Sequence, residues 1–195
     1  MIAFVRGQFA VKTPARIVVD VNGVGYELQI SLNTYSAISN KENGLLFTYL
    51  HITENAQTLY GFAEMAEKDM FLHLISVSGV GASTARMMLS GMRPDEIATA
   101  IVSGNTRQLE GIKGIGKKSA ERLIVELKDK LGKQFAGSNQ AFSGVIPAVD
   151  TDAVNALIAL GIGKAMAEQA VKKTLLNITD RSNLEEIIKQ ALKNL

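Results

Sequence analysis

A twelve-residue pattern occurs twice in this chain, thirty-five residues apart. Ser78-Gly79-Val80-Gly81-Ala82-Ser83-Thr84-Ala85-Arg86-Met87-Met88-Leu89 aligns without a gap on Lys113-Gly114-Ile115-Gly116-Lys117-Lys118-Ser119-Ala120-Glu121-Arg122-Leu123-Ile124. Gly79, Val80, Gly81, Ala85, Met88 and Leu89 match Gly114, Ile115, Gly116, Ala120, Leu123 and Ile124. A single Gly-x-Gly says little. Two in register, each opening an apolar stripe at helical spacing, mark a duplicated unit. Glycine allows a tight turn with positive φ and leaves its amide uncovered. The helix that follows adds unpaired N–H groups and the positive end of its dipole. Such a corner suits a phosphate. The expected contacts are the amides of Gly79, Val80, Gly81, Gly114, Ile115 and Gly116. Lys117, Lys118 and Arg122 supply charge, with Lys113 beside them.

Paired Gly-h-Gly turns between helices (h, an apolar residue) resemble the helix-hairpin-helix module. That resemblance implies a grip on the DNA backbone that does not read bases. Two other readings of the same glycines compete with it. Gly111 to Lys117 spells Gly-x-x-x-x-Gly-Lys, close to a nucleotide-binding loop. Lys118, however, stands where that loop needs a Mg²⁺-binding Ser or Thr, and no β-branched strand precedes it. The glycines could also merely close helix hairpins. The duplication and the lysines favour the phosphate reading. A third run, Gly161-Ile162-Gly163-Lys164, reads as a plain helix connector in a charge-balanced region.

Charge supports this placement. The net formal charge is only +2, but residues 64–149 carry eleven basic and nine acidic side chains, while 1–63 and 150–195 are each balanced. The surplus lies with the glycine corners, as expected for a phosphate-facing surface. There is no cysteine, which excludes disulfides and thiolate metal sites and fits a reducing compartment. No apolar run approaches a membrane span and the N-terminus does not read as a signal peptide, so a cytoplasmic location is expected. His51 and His73 are the only histidines, and no acid–base pair or metal-binding acid cluster stands out. No catalytic residue, metal or cofactor is expected.

The rest of the chain gives an α+β multidomain plan. Residues 1–63 read as β, with runs at 2–9, 16–21, 26–30, 45–50 and 58–62, and an Asn22-Gly23-Val24-Gly25 turn. Five short strands fit a closed OB-fold barrel better than an open meander, since closure removes edges. His51 to Gln57 reads as a polar loop, with Glu54 an ordinary hairpin acid. Residues 64–132 read as a tandem helix-hairpin-helix domain. Met70, Phe71, Leu74 and Ile75 form one helical face, Pro94 opens a helix that Gly104 closes, and Asn105 caps a short one. Glu126 and Lys130 stand at i,i+4 on the long last helix. Residues 133–149, rich in Gly, Ser, Gln and Asn, read as a flexible linker. Residues 150–195 read as three helices, with Leu157, Ile158 and Leu160 either core or contact.

Taken together, the plan resembles the RuvA family, the junction-binding subunits of the bacterial Holliday-junction branch migration machine. The resemblance spans the chain. It is carried by Gly23-Val24-Gly25-Tyr26-Glu27, Leu59-Tyr60-Gly61-Phe62, Gly79-Val80-Gly81, Leu89-Ser90-Gly91-Met92 and the run from Gly114 to Ile124. It implies a homotetramer holding four-way DNA as an open square during recombination and repair. It implies a C-terminal domain (150–195) that recruits the RuvB ATPase, and admits the RuvC resolvase as a further partner. It also implies that Glu54 belongs to an acidic pin near the strand crossover. Asn55 stands where the family commonly has a second acid, which halves the pin's carboxylates. The first corner has Ala82 and Ser83 where lysine often occurs in the family, so the second should carry more of the electrostatic contact.

Overall fold

The computed structural model describes residues 1–138, 148–175 and 183–194, the side chains of 133–138 and 148–149 excepted. The chain forms two compact units, Met1–Asn139 and Gln140–Leu195.

The first unit begins with β1 (Phe4–Thr13), β2 (Arg16–Val21), β3 (Val24–Ile30), β4 (Asn43–Thr53) and β5 (Ala56–Phe62). They close into a barrel in the order β1-β2-β3-β5-β4, with β4 returning to β1. Every pairing is antiparallel except β3 with β5, which is parallel. This is an OB-like barrel, as the strand count leads one to expect. Val5, Phe9, Ile17, Val19, Leu28, Ile30, Leu46 and Leu59 fill its interior. Ile17, Val19, Leu28 and Ile30 alternate with more exposed neighbours, the two-residue period of a half-buried strand. Asn22 and Gly23, at φ +51° and +89°, form the β2–β3 turn, where both central residues need positive φ.

Two features of the barrel differ from the sequence reading. The expected polar loop at 51–57 is mostly strand. β4 runs to Thr53 and β5 starts at Ala56, with Thr53 opposite Ala56, so Glu54 and Asn55 alone make the turn. Cross-strand pairing carries the polar residues past the barrel as a projecting hairpin. The second is a short helix, α1 (Leu32–Ile38), between β3 and β4. The Ser31 side chain caps it by accepting from the Thr34 amide.

Helices follow: α2 (Met65–Ile75), α3 (Ala82–Gly91), α4 (Pro94–Val102), α5 (Thr106–Glu110) and α6 (Lys117–Ser138). Met70, Phe71 and Leu74 of α2 are buried with Ala85, Met88 and Leu89 of α3, Ile97 and Ile101 of α4, Leu109 of α5 and Ala120, Leu123, Leu127 and Leu131 of α6. Pro94 starts α4, whose Glu96 carboxylate accepts from the Arg93 amide. Asn105 accepts from the Gln108 amide at the head of α5. Helix α6 continues to Ser138, so residues 133–138 of the stretch expected as a linker are helical. Residues 139–147 of that stretch lie outside the described residues.

The second unit packs α7 (Ala148–Ala159), α8 (Lys164–Leu175) and α9 (Leu184–Lys193) around Ala153, Leu157, Ala167, Ala170, Val171, Ile187 and Ala191. Leu157 is core, whereas Ile158 and Leu160 face solvent. The expected end of the last helix at Leu195 lies outside the described residues.

Candidate nucleic-acid interface

The two glycine corners are built alike, hydrogen bond for hydrogen bond. The Val80 amide donates to the Val77 carbonyl at 3.0 Å, and the Ile115 amide to the Ile112 carbonyl at 3.0 Å. Gly79 and Gly114 follow at φ +89° and +93°, which L side chains adopt only with strain. Gly81 accepts from the Ala85 amide at 2.9 Å, and Gly116 from the Ala120 amide at 3.0 Å, so each second glycine starts a helix. In every pair the residues are thirty-five apart. The apolar residue at the centre of each turn, Val80 or Ile115, is buried, and the glycines flanking it are exposed. Anchoring the centre in the core holds the two glycine edges outward.

This geometry corrects one part of the sequence reading. The Val80 and Ile115 amides are committed to carbonyls within their own turns and are not presented outward. The amides of Gly79, Gly81, Gly114 and Gly116 make no hydrogen bond among the described residues. Nor do those of Ala82, Ser83 and Thr84 in the first corner, or Lys117, Lys118 and Ser119 in the second. These six are the unpaired first-turn donors that any helix leaves. A Cβ at Gly81 or Gly116 would meet nothing within 4 Å, and Gly81 has an ordinary φ of −80°. The fold therefore does not demand glycine at either position.

Side chains distinguish the corners. Lys113, Lys117 and Lys118 are exposed and form no ion pair among the described residues. The first corner has no lysine, and its one arginine points elsewhere: Arg86 donates to the Ala15 carbonyl at 3.0 Å and to Gln29 Oε1 at 2.7 Å. Arg122 is engaged as well. Its Nε lies 3.2 Å from Glu126 Oε1, and its Nη1 donates to the Ser78 carbonyl at 3.2 Å. Glu126 thus pairs back to Arg122, and no ion pair to Lys130 exists among the described residues.

Several ties set the hairpins against the barrel. Besides Arg86, Asn33 Nδ2 donates to the carbonyls of Leu89 (2.7 Å) and Met92 (3.0 Å), serving groups that the end of α3 leaves unpaired. Glu67 of α2 is 4% exposed and accepts from the hydroxyls of Ser31 and Thr34 on the barrel side. Burial raises its carboxyl above the ordinary glutamate value. The two hydroxyl bonds oppose that shift and the nearby Glu64 charge adds to it. The sequence reading missed these joints. Ser31 three residues before Thr34 was the available cue for the first helix, but nothing local pairs it with Glu67.

The third run, at 161–164, is a different structure. Gly161 has φ +92°, but its amide bonds the Ile158 carbonyl and the Ile162 amide bonds the Leu157 carbonyl. That nested pair of bonds is a glycine helix stop, as its sequence suggests. Glu54 and Asn55 are exposed at the hairpin tip. Among the described residues, no three His, Asp or Glu side chains are grouped to hold a metal ion, and no helix is long and apolar enough to cross a membrane.

Barrel and twinned corners together define a tandem helix-hairpin-helix protein carried on an OB-like domain. The comparisons with known proteins agree. The RuvA N terminal domain matches residues 1–61, a SAM-like helix-hairpin-helix tandem matches 71–129, and the RuvA C-terminal domain matches 148–195. The chain is 45% identical to a protein of Cytophaga hutchinsonii over 99% of both chains. It is also 45% identical to proteins of Bacteroides thetaiotaomicron and Flavobacterium psychrophilum over the full length of each. All three relatives are named Holliday junction branch migration complex subunit RuvA. The chain belongs to the RuvA family.

Proposed function

We propose that this chain binds four-way DNA junctions by shape, without reading sequence, as the DNA-holding subunit of a branch migration complex in the cytoplasm. The observation that carries this is the pair of matching corners, whose open glycine edges and free helix-start amides suit two phosphate positions. Gly79, Gly81, Gly114 and Gly116 let the DNA backbone approach. Lys117 and Lys118 release counterions when they meet it, so affinity falls as salt rises. Glu54, exposed at the tip of the β4–β5 hairpin, serves as the pin carboxylate, with Asn55 beside it uncharged. Four copies assemble around the junction. The second unit recruits the RuvB ATPase, which supplies the ATP-driven step, and the RuvC resolvase acts on the same junction.

A gel-shift titration of a four-way junction against a linear duplex of the same sequence tests this reading. Strong preference for the junction, with the DNA left uncut in the presence of Mg²⁺, is expected. Equal affinity for the two substrates, or cleavage of either, would overturn it.

A further inference from the structure

We propose that Arg122 is a positioning residue that aims the first corner's amide, and is not itself a phosphate contact. The inference rests on the reading of both corners as DNA-backbone sites. Its basis is where the guanidinium goes. Although Arg122 lies on α6, after the second corner, it reaches across to the Ser78 carbonyl of the first. Ser78 C=O and Gly79 N–H belong to one planar trans peptide, and they leave that plane on opposite edges. Fixing the oxygen therefore fixes the direction of the Gly79 N–H, which makes no hydrogen bond within the protein among the described residues. Glu126, 3.2 Å away, neutralises the same guanidinium and steadies it along α6.

The duplication supplies a second, independent argument. The position equivalent to Arg122 in the first copy is Met87. Met87 also reaches the opposite corner: its Cε and Sδ lie 4.0 Å from where a Cβ on Gly114 would stand. In both copies, then, this helix position lies against the other copy's corner, at the peptide before Gly79 in one and beside Gly114 in the other. One contact is apolar and the other polar. A site whose twin is a methionine need not carry charge to perform its task.

Arg122→Met, the residue its twin already has, combined with Glu126→Gln so that the ion pair is removed whole and no unpaired carboxylate is left, separates the two roles in the full-length chain. Junction affinity is read across a salt series and in two backgrounds, Gly81→Ala and Lys117→Ala/Lys118→Ala. Losing one hydrogen bond's worth of positioning predicts a roughly three- to tenfold weaker junction affinity. The slope of log affinity against log salt should stay unchanged. The loss should shrink in the Gly81→Ala background and persist undiminished in the double-lysine background. A direct phosphate contact predicts instead a slope lower by about 0.9 for each engaged subunit, with full additivity on Gly81→Ala; that result would overturn the proposal. A DNA-free arm reads the Gly79 amide by NMR. Its resonance should move in Arg122→Met/Glu126→Gln while those of Gly114 and Gly116 hold, and an unmoved Gly79 amide would likewise overturn it. Failure of the unmodified chain to bind the junction would instead sink the underlying reading, while the NMR arm still decides whether the brace exists.

Discussion

The two glycine corners share a backbone and differ in charge. Val77 to Ala85 and Ile112 to Ala120 make the same turn bonds, at distances that agree within about a tenth of an ångström. Yet the second corner has three lysines around it that form no ion pair among the described residues, while the first has no lysine and its arginine is tied to the barrel. The difference teaches which part of the motif is architecture. Open amides come from the turn, and any sequence that buries the middle residue and frees the glycines produces them. Lysine charge is placed on one copy only. Affinity and salt dependence should therefore concentrate at the second corner, while both copies contribute to geometry.

The largest test of this comparison concerns the shared core. Met88 and Leu123 are equivalent and fully buried. Met88→Ala and Leu123→Ala should each destabilise by about 2–5 kcal/mol in urea unfolding. A silent result at either would show that the copies are not equal in structure. Next in size is Lys117→Ala/Lys118→Ala. Junction affinity should drop for all sequences alike, and the salt slope should flatten by up to about two units for each engaged subunit. Exchanging Ser83, an exposed first-turn residue of the other corner, for alanine should leave the slope unchanged. Equal slopes for the two variants would erase the asymmetry.

Gly81→Ala and Gly116→Ala sharpen the comparison at a finer level. Alanine has room at both positions, and its poor capping and reduced unfolded-state entropy act in opposite directions. Melting temperature should move little, corresponding to less than about 1 kcal/mol. Junction affinity should fall in both, because the new methyl would occupy the face proposed for the DNA backbone. Loss of stability without loss of affinity would mean that the glycines serve the fold alone.

The smallest effect belongs to the joint between α2 and the barrel. Glu67 has a raised pKa in the folded chain, so the folded state holds that proton more tightly than the unfolded state does. Its stabilising contribution is full below the ordinary glutamate range and is lost as pH rises through the raised value. Glu67→Gln should flatten this part of the stability–pH curve, as read from urea midpoints between about pH 4 and pH 7. An unchanged curve would remove Glu67 as its source.

Much of this molecule could be read from the linear chain, because its main signals are local. Twinned glycines, the apolar stripe from Ala120 to Leu131, the Asn22-Gly23 turn, and the caps at Pro94 and Asn105 each depend on residues within a turn or two of one another. What escaped was short or long-range. Helix α1 is seven residues of mostly weak helix formers, Leu-Asn-Thr-Tyr-Ser-Ala-Ile, too few to show a period. The hairpin bearing Glu54 looked like a loop because its residues are polar, and only pairing to the opposite strand makes them β. The i,i+4 spacing offered Glu126 two partners of the same sign, and Arg122 won.

Order along the chain thus determined which segments turn, which become helices, where lysines cluster, and that a unit was duplicated. The folded molecule alone decided that β3 would lie parallel to β5, that the Val80 and Ile115 amides would be consumed within their own turns, and that Arg86 and Arg122 would be drawn into protein contacts. The physical reason is one of range. Backbone conformation and helix periodicity follow from neighbours a few bonds away, whereas the fate of a donor or a charge depends on which distant group packing brings within reach.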